Sequence, residues 1–145
     1  MIDLDNVYVG DCECDGFIDE ATKIHTFGIS WKSDGIWQIK DTPDYDNMIK
    51  VLTNPNNVIV FHNGYLFDSV ILSKILNIEI KAEIIDTLPI SWVLFPNRIK
   101  EGKRWGLGSF ATDYGFIKPT VEANEWVGLS TDKLEIIKYY EELDR

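Results

Sequence analysis

The spacing of apolar residues changes once along the chain, near Thr42, and this change constrains the fold more than any other feature of the sequence. Before it, three short stretches have the length and composition of β-strands, and a tight turn over residues 33–35 joins the last two. The three stretches are residues 7–14, 24–31 and 36–40. Consecutive strands of this kind predict an antiparallel meander at the start of the fold.

From Thr42 onward, helical and strand patterns alternate. Thr42 and Pro43 predict the N-cap and first position of a helix that stops at the Asn-Pro-Asn-Asn segment. Residues 58–61 form a fully apolar run that is typical of a buried parallel strand. The remaining predicted elements are a helix from about residue 66 with Val70, Ile71, Ile75 and Leu76 buried, a strand at 84–87, and helices at 88–95, 108–114 and 131–145.

Together these patterns predict one α/β domain over residues 1–145, in which a mixed sheet is flanked by helices. The sheet should combine the three-strand antiparallel meander with parallel strands. In such sheets the chemistry gathers at the carboxyl ends of the strands. The polar residues near the carboxyl ends of the predicted strands are therefore the candidate site residues.

Composition narrows the class of protein without deciding its partner. The sequence has no apolar run of membrane-spanning length and no signal-peptide pattern, so we expect a cytoplasmic protein with no membrane partner. The net charge of −10 argues against nucleic-acid binding by electrostatics alone, but it leaves open an enzyme that uses metal ions. Cys12 and Cys14 share one strand face and are predicted to be packing residues.

Two carboxylates end the first predicted strand. Asp11 and Glu13 point to the same face because side chains alternate along a strand. Two like charges this close are unfavourable unless a cation lies between them, and an oxygen-binding ion such as Mg²⁺ or Mn²⁺ is the usual one. The alternative is a pair of solvated acids at a frayed strand end.

A third carboxylate follows the apolar run at 58–61. A glycine turn leads from it to Asp68 in the first turn of a helix, where the helix dipole favours a negative charge. The alternative is that Asp68 only stabilises the helix start and that Asn63 only satisfies the turn. His62 is predicted to be a hydrogen-bonded packing residue rather than a metal ligand.

The last predicted helix carries the fourth candidate. Tyr140 and Asp144 are four residues apart and so face the same side, which places a phenol beside a carboxylate. This pair suits the orientation of a water molecule near a metal ion. The alternative is an acidic, solvated helix end. Asp86, within the strand predicted at 84–87, is predicted to cap a turn or support the site rather than bind metal directly.

Taken in order, these segments resemble the three exonuclease motifs of the DEDD family, and the tyrosine resembles its DEDDy subgroup. The motifs are D-x-E at 11–13, F-H-N-G-x-x-F-D at 61–68 and Y-x-x-x-D at 140–144. The connecting segments at 11–18, 22–25 and 85–88 are similar to the proofreading exonuclease domain of phage family A DNA polymerases. The resemblance implies a ribonuclease H-like fold and 3′→5′ removal of nucleotides from DNA ends, preferably single-stranded.

The resemblance also implies roles for individual residues. Asp11, Glu13, Asp68 and Asp144 would hold two Mg²⁺ or Mn²⁺ ions, and Tyr140 would help to orient the attacking water. The expected products are nucleoside 5′-monophosphates. Substrate contacts are predicted for aromatic side chains that could stack bases, for the turn at 63, and for the basic loop at 98–104; the residues are Asn63, Phe17, Tyr65, Lys103 and Arg104. A polymerase subunit or domain is an expected partner, in a bacterial or phage-infected cell.

The sequence departs from the family pattern at two places. Cys12 stands where an aliphatic residue is usual, and the sequence has one residue after Asp144 where the family's helix continues for several turns. Two other hypotheses follow. The chain could be a non-catalytic interaction or inhibitor protein on a degenerate exonuclease fold, or a fragment of a longer polymerase.

Overall fold

A computed structural model describes residues 6–116 of the chain. Residue contacts divide the chain between Thr87 and Leu88 into two compact units. The elements of the first unit are β1 (Val7–Cys14), β2 (Ile24–Ser33), β3 (Ile36–Thr42), α1 (Tyr45–Leu52), β4 (Val58–Phe61), α2 (Asp68–Leu76) and β5 (Glu83–Asp86). Two further helices, α3 (Thr87–Leu94) and α4 (Leu107–Asp113), follow. The single-domain assignment stays a prediction.

The strands form one five-stranded sheet in the order β3-β2-β1-β4-β5. β1 pairs antiparallel with β2, and β2 pairs antiparallel with β3, as the meander predicted. β4 lies parallel to β1 on its other side, and β5 lies parallel to β4. The predicted mixed sheet flanked by helices is therefore confirmed, and the central strand β1 is the one that carries Asp11 and Glu13.

One face of the sheet packs on α1 and α2 and forms the hydrophobic core. The rings of Phe27 and Phe61 lie at its centre, with centroids 6.3 Å apart. Gly10 of β1 lies beneath them, because a Cβ atom there would come within 3.0 Å of Phe61 and 3.1 Å of Phe27. Met48 and Leu52 of α1 are fully buried in the same core.

Two helix details differ from the prediction. The N-cap of α1 is Asp44, whose carboxylate accepts a hydrogen bond from the Asp46 backbone N–H at 2.9 Å. Thr42 instead ends β3, where it pairs with Phe27. In α2 the predicted burial of Val70 is wrong, since it is exposed and Leu72 is buried in its place.

The second unit changes the interpretation of the basic loop. Arg98 is only 5% exposed, so it does not belong to a solvent-facing phosphate-binding patch.

No helix among residues 6–116 is long and apolar enough to cross a membrane. The helix predicted at 131–145 lies outside the described residues.

Candidate active site

The end of β1 has the alternation that the sequence predicted. Asp11 is exposed and Glu13 is half-buried, whereas Cys12 between them is only 5% exposed and belongs to the core. Cys12 and Cys14 are both free thiols, and Cys14 packs against the same core. The interpretation of the two cysteines as packing residues is confirmed.

β1 extends beyond its parallel neighbour. Its pairing with β4 runs from Val7 to Val9, whereas its pairing with β2 continues to Cys14. The Cys12 backbone N–H donates to the Asp68 carboxylate across a distance of 3.1 Å. A side chain from the start of α2 thus meets the part of β1 that carries the other two acids.

Asp68 occupies a position where an apolar residue would be expected. It is the first residue of α2 and only 4% exposed, and it shares the buried face of that helix with Ile71, Leu72 and Leu76. Burial raises the pKa of the Asp68 carboxyl, and the Cys12 backbone N–H is the main contact that lowers it. Among the described residues, the donors that lower this pKa do not outweigh the effect of burial, and a nearby cation would stabilise the charged carboxylate.

The Cys12 thiol is the second group that contacts this carboxylate. Burial, and then the charge of Asp68, raise the pKa of Cys12 far above its ordinary value. The thiol therefore stays protonated and hydrogen-bonds to Asp68 as a neutral donor. This neutral side chain packs beneath the strand end without adding charge to it.

The turn between β4 and α2 is held by Asp86. Its carboxylate accepts hydrogen bonds from the backbone N–H of Asn63 at 2.8 Å and of Tyr65 at 3.0 Å. Asn63 adopts a left-handed conformation with φ of +75°, which asparagine tolerates better than most residues. Gly64 has no room for a side chain, since a Cβ atom would overlap the Cβ of Phe61. The predicted capping role of Asp86 is confirmed, and the turn fixes where α2 begins.

His62 belongs to the same turn and is hydrogen-bonded, as predicted. Its Nδ1 lies 2.9 Å from the Thr87 hydroxyl, which donates to the Phe61 carbonyl at 3.0 Å. The half-buried imidazole is therefore connected to the last residue of β4 through Thr87. This arrangement orients the ring at the end of the strand.

The two aromatic residues predicted to contact substrate both lie at the surface. Phe17 is 79% exposed, on the segment that joins β1 to β2. Tyr65 is also exposed, and its hydroxyl donates to the Ile84 carbonyl at 2.9 Å. The Asp86 carboxylate also accepts a hydrogen bond from the Tyr65 backbone N–H, so Tyr65 is held both by its backbone and by its hydroxyl.

The basic loop of the second unit is organised around Asp113. The Arg98 guanidinium donates to this carboxylate at 2.6 Å and lies 3.8 Å above the centre of the Phe110 ring. Lys103 forms a second ion pair with Asp113, at 2.8 Å, and these two cations lower the pKa of the aspartate. Arg104 is exposed. The phosphate-binding roles of Lys103 and Arg104 stay predictions.

The structure thus brings one predicted ligand, Asp68, to the strand that carries Asp11 and Glu13. Within residues 6–116, no group of three or more histidine, cysteine, aspartate or glutamate side chains is arranged to hold a metal ion. Tyr140 and Asp144 lie outside the described residues. The donor set that the resemblance predicts consists only of carboxylates, which suits Mg²⁺ and Mn²⁺.

Several solved structures have a fold similar to that of this chain. Brucella melitensis NrnC bound to pGG has a TM-score of 0.59 and 16% sequence identity, over 95% of this chain and 71% of that one. NrnC with bound Mg²⁺ has a TM-score of 0.55 and 19% identity, over 96% and 70%. The zinc-bound form of the E. coli ExoI–ssDNA complex has a TM-score of 0.55 and 13% identity, over 92% of this chain. This chain spans 39% of that ExoI chain.

Comparisons of sequence gave no further relationship. No family model matches the chain, and no curated protein matches it. The similarity to NrnC and exonuclease I confirms the predicted ribonuclease H-like fold, while the finer resemblance to the phage polymerase domain stays a prediction. The chain therefore has the ribonuclease H-like fold that is seen in these exonucleases.

Proposed function

We propose that the chain is a metal-dependent 3′→5′ exonuclease that releases nucleoside 5′-monophosphates from single-stranded DNA ends. The observation that carries this proposal is the contact between Asp68 and β1. A carboxylate on the buried face of a helix is bound to the backbone of Cys12, between Asp11 and Glu13. Support also comes from the fold, since similar structures contain pGG, Mg²⁺ or single-stranded DNA.

The resemblance to the DEDD motifs implies the roles of the individual residues, and the chemistry of their side chains suits these roles. Asp11, Glu13, Asp68 and Asp144 would hold two Mg²⁺ or Mn²⁺ ions through carboxylate oxygens. When bound, the two ions would supply an activated water and charge stabilisation for the leaving 3′-oxygen. Asp68 contributes a carboxylate that is held in place before any ion binds, and Tyr140 would orient the attacking water.

Substrate binding would use the exposed aromatic residues of the first unit. Phe17 and Tyr65 offer rings on which the terminal bases could stack, and the turn at Asn63 would contact the same strand. Lys103 and Arg104 would contact phosphates. The resemblance to phage family A polymerases supports a role at DNA 3′ ends during replication, with a polymerase subunit or domain as partner.

The test is hydrolysis of a 5′-fluorescent single-stranded oligonucleotide with Mg²⁺ or Mn²⁺. We expect the wild type to shorten it from the 3′ end, and Asp11→Ala and Asp68→Ala to be inactive. Glu79→Ala is the matched control, because Glu79 is an exposed carboxylate in the loop after α2. Activity in Asp11→Ala and Asp68→Ala equal to that of Glu79→Ala would overturn the metal-site assignment.

A second candidate function is a non-catalytic interaction or inhibitor protein. It is favoured by the observation that residues 6–116 contain no group of three metal-ligating side chains. Calorimetric titration with Mn²⁺ separates the two functions. The enzyme should bind the ion with a measurable heat that Asp68→Asn removes, whereas the binding protein should give no such heat at millimolar concentrations.

A further inference from the structure

Several hydrogen bonds hold the segment between β1 and β2. We call residues 15–23 the Asp15 loop. The Asp15 carboxylate accepts hydrogen bonds from the backbone N–H of Thr22 at 2.8 Å and of Lys23 at 2.9 Å, and from the Thr22 hydroxyl at 2.6 Å. Desolvation opposes ionisation, but these donors outweigh it and lower the pKa of Asp15 to about 2. The two ends of the loop are therefore closed on each other.

The interior of the Asp15 loop is fixed as well. The Phe17 carbonyl accepts from the backbone N–H of Glu20 at 2.9 Å and of Ala21 at 2.7 Å, and the Cys14 thiol donates to the Gly16 carbonyl at 3.1 Å. Ala21 is buried in the core. The Phe17 side chain nevertheless projects into solvent. A rigid backbone that exposes a large apolar ring is a preorganised binding surface, because little conformational entropy is lost when a ligand stacks on it.

Lys74 ties this loop to α2. Its ammonium donates to the Ile18 carbonyl at 2.8 Å and to the Asp19 carbonyl at 3.2 Å. Lys74 lies in the last turn of α2, and Asp68 is the first residue of the same helix. α2 therefore contacts the chain at Cys12 through Asp68 and at Ile18 through Lys74, and Phe17 lies between these two contacts in the sequence.

A simpler role for Lys74 does not account for both hydrogen bonds. A lysine near a helix C-terminus interacts favourably with the helix dipole, but that interaction needs no bond to a neighbouring loop. Immobilising a lysine side chain also costs conformational entropy, and exposed carbonyls are satisfied by water without it. The contact with two successive carbonyls is explained if the position of the loop matters for binding.

We propose that Lys74 and Asp15 are positioning residues that hold the Asp15 loop, so that Phe17 stacks on a base of the bound single strand. This inference rests on the proposed function, since it takes single-stranded DNA as the ligand. It predicts that the contribution of Lys74 to binding passes through Phe17. Removing Lys74 should therefore weaken binding only while the Phe17 ring is present.

A double-mutant cycle measures this dependence. The probe is a fluorescent oligothymidylate with phosphorothioate linkages at its 3′ end, followed by anisotropy. We expect Phe17→Ala to weaken binding by roughly 5- to 150-fold, the range of base–aromatic stacking, and Lys74→Met to weaken it by a similar or smaller factor. The double variant should bind no more weakly than Phe17→Ala alone. Lys74→Arg should restore most of the affinity, since it retains donors for the two carbonyls.

The controls separate positioning from other effects. Trp37→Ala removes another exposed aromatic of the first unit and should leave affinity unchanged. Lys74→Met should leave the salt dependence of binding unchanged. Removing a lysine that contacts a phosphate would instead reduce the slope of log K against log salt concentration by about 1. In the hydrolysis assay, Phe17→Ala and Lys74→Met should raise KM more than they lower kcat.

Two outcomes would overturn the inference, and they have different meanings. If the effects of Lys74→Met and Phe17→Ala multiply in the double variant, Lys74 acts independently and the positioning role is wrong, while the proposed function is untouched. If the wild type does not bind the oligothymidylate, the proposed function and the positioning role fail together.

Discussion

At the scale of single residues, Asp68 is where stability and the proposed function conflict. It occupies the buried face of α2, where an apolar residue would pack without cost. Its pKa is raised because burial disfavours the charged form. The raised pKa means that Asp68 lowers the stability of the fold at pH values above its ordinary pKa. A carboxylate that destabilises the metal-free fold is expected at a site that binds a cation, because the cation would offset the cost of the buried charge.

Replacing Asp68 with asparagine should therefore stabilise the metal-free protein. Asp68→Asn keeps the oxygen that accepts from the Cys12 N–H and removes the buried charge. Because the folded-state pKa is raised, the charge destabilises the fold at neutral pH, and this effect disappears as the pH falls to the ordinary value of 3.8 and below. Thermal unfolding in chelator should show a higher Tm than wild type at pH 7.5 and a smaller difference at pH 4, with exonuclease activity lost.

The matched comparison is Asp68→Ala, which removes both the charge and the acceptor. It should be less stable than Asp68→Asn, because the buried Cys12 N–H then has no acceptor. If Asp68→Asn unfolds at a lower temperature than wild type in chelator, the carboxylate stabilises the fold and the conflict does not exist.

Thr26 offers a second test at the residue scale. Thr26 lies on β2, opposite Glu13 of β1, and is only 2% exposed. Within residues 6–116 its hydroxyl has no hydrogen-bond partner. Thr26→Val keeps the shape of the side chain and removes the unsatisfied oxygen. We expect the free energy of unfolding in urea to rise by about 1 kcal/mol. Thr26→Ser, which keeps the hydroxyl and loses the methyl group, should be less stable than wild type.

At the scale of elements, the turn between β4 and α2 determines the position of Asp68. Gly64 lies directly against Phe61, and the Asp86 carboxylate accepts hydrogen bonds from the backbone N–H groups of Asn63 and Tyr65, the residues before and after Gly64. A side chain at Gly64 would push the start of α2 away from β4 or displace the core ring. The turn therefore couples core packing to the site.

Gly64→Ala should destabilise the protein by roughly 1–3 kcal/mol, the usual cost of overpacking a close contact. Urea unfolding measures the change. The matched control is Gly108→Ala, because a Cβ atom at Gly108 in α4 would meet nothing within 4 Å. The control should be neutral or slightly stabilising, since alanine has the higher helix propensity. An equal effect of both substitutions would show that the contact with Phe61 is not the cause.

The elements also show what local sequence could predict. The bounds of β1 and β4 follow from composition and turn signals and are as predicted. The N-cap of α1 is Asp44 and not Thr42, although both are good capping residues, because β3 extends to Thr42 by pairing with Phe27. Local propensity does not reveal how far a strand partner extends.

At the scale of the whole molecule, the mixed character of the sheet was predictable, because the change of pattern near Thr42 separates the antiparallel meander from the parallel strands; the strand order β3-β2-β1-β4-β5 was not predicted. Contacts between distant segments were not predictable. Nothing in the sequence distinguishes Lys74 from any other exposed lysine, yet it binds two carbonyls of the Asp15 loop. The sequence shows the charge of Arg98 in the basic loop at 98–104 but not its burial. Such contacts depend on tertiary packing, which one sequence does not display.

Metal binding should be visible in the stability of the whole fold. An ion that binds only the folded state raises stability by about 2.7 kcal/mol at 100 times its Kd. We therefore expect Mn²⁺ to raise the Tm of the wild type and to reverse the stability order, so that wild type exceeds Asp68→Asn at saturating Mn²⁺. Thermal unfolding across a Mn²⁺ titration measures this crossing.

The exposed carboxylate variant Glu79→Gln should respond to Mn²⁺ as the wild type does, because Glu79 lies outside the candidate site. Asp68→Asn and Asp11→Asn should respond weakly. If all four proteins gain the same increase in Tm, the ion binds the acidic surface without preference, as a chain with a net charge of −10 would allow. If Mn²⁺ raises the Tm of only the wild type and Glu79→Gln, the ion binds at the end of β1, because Asp11→Asn and Asp68→Asn are the variants that lose the increase in Tm.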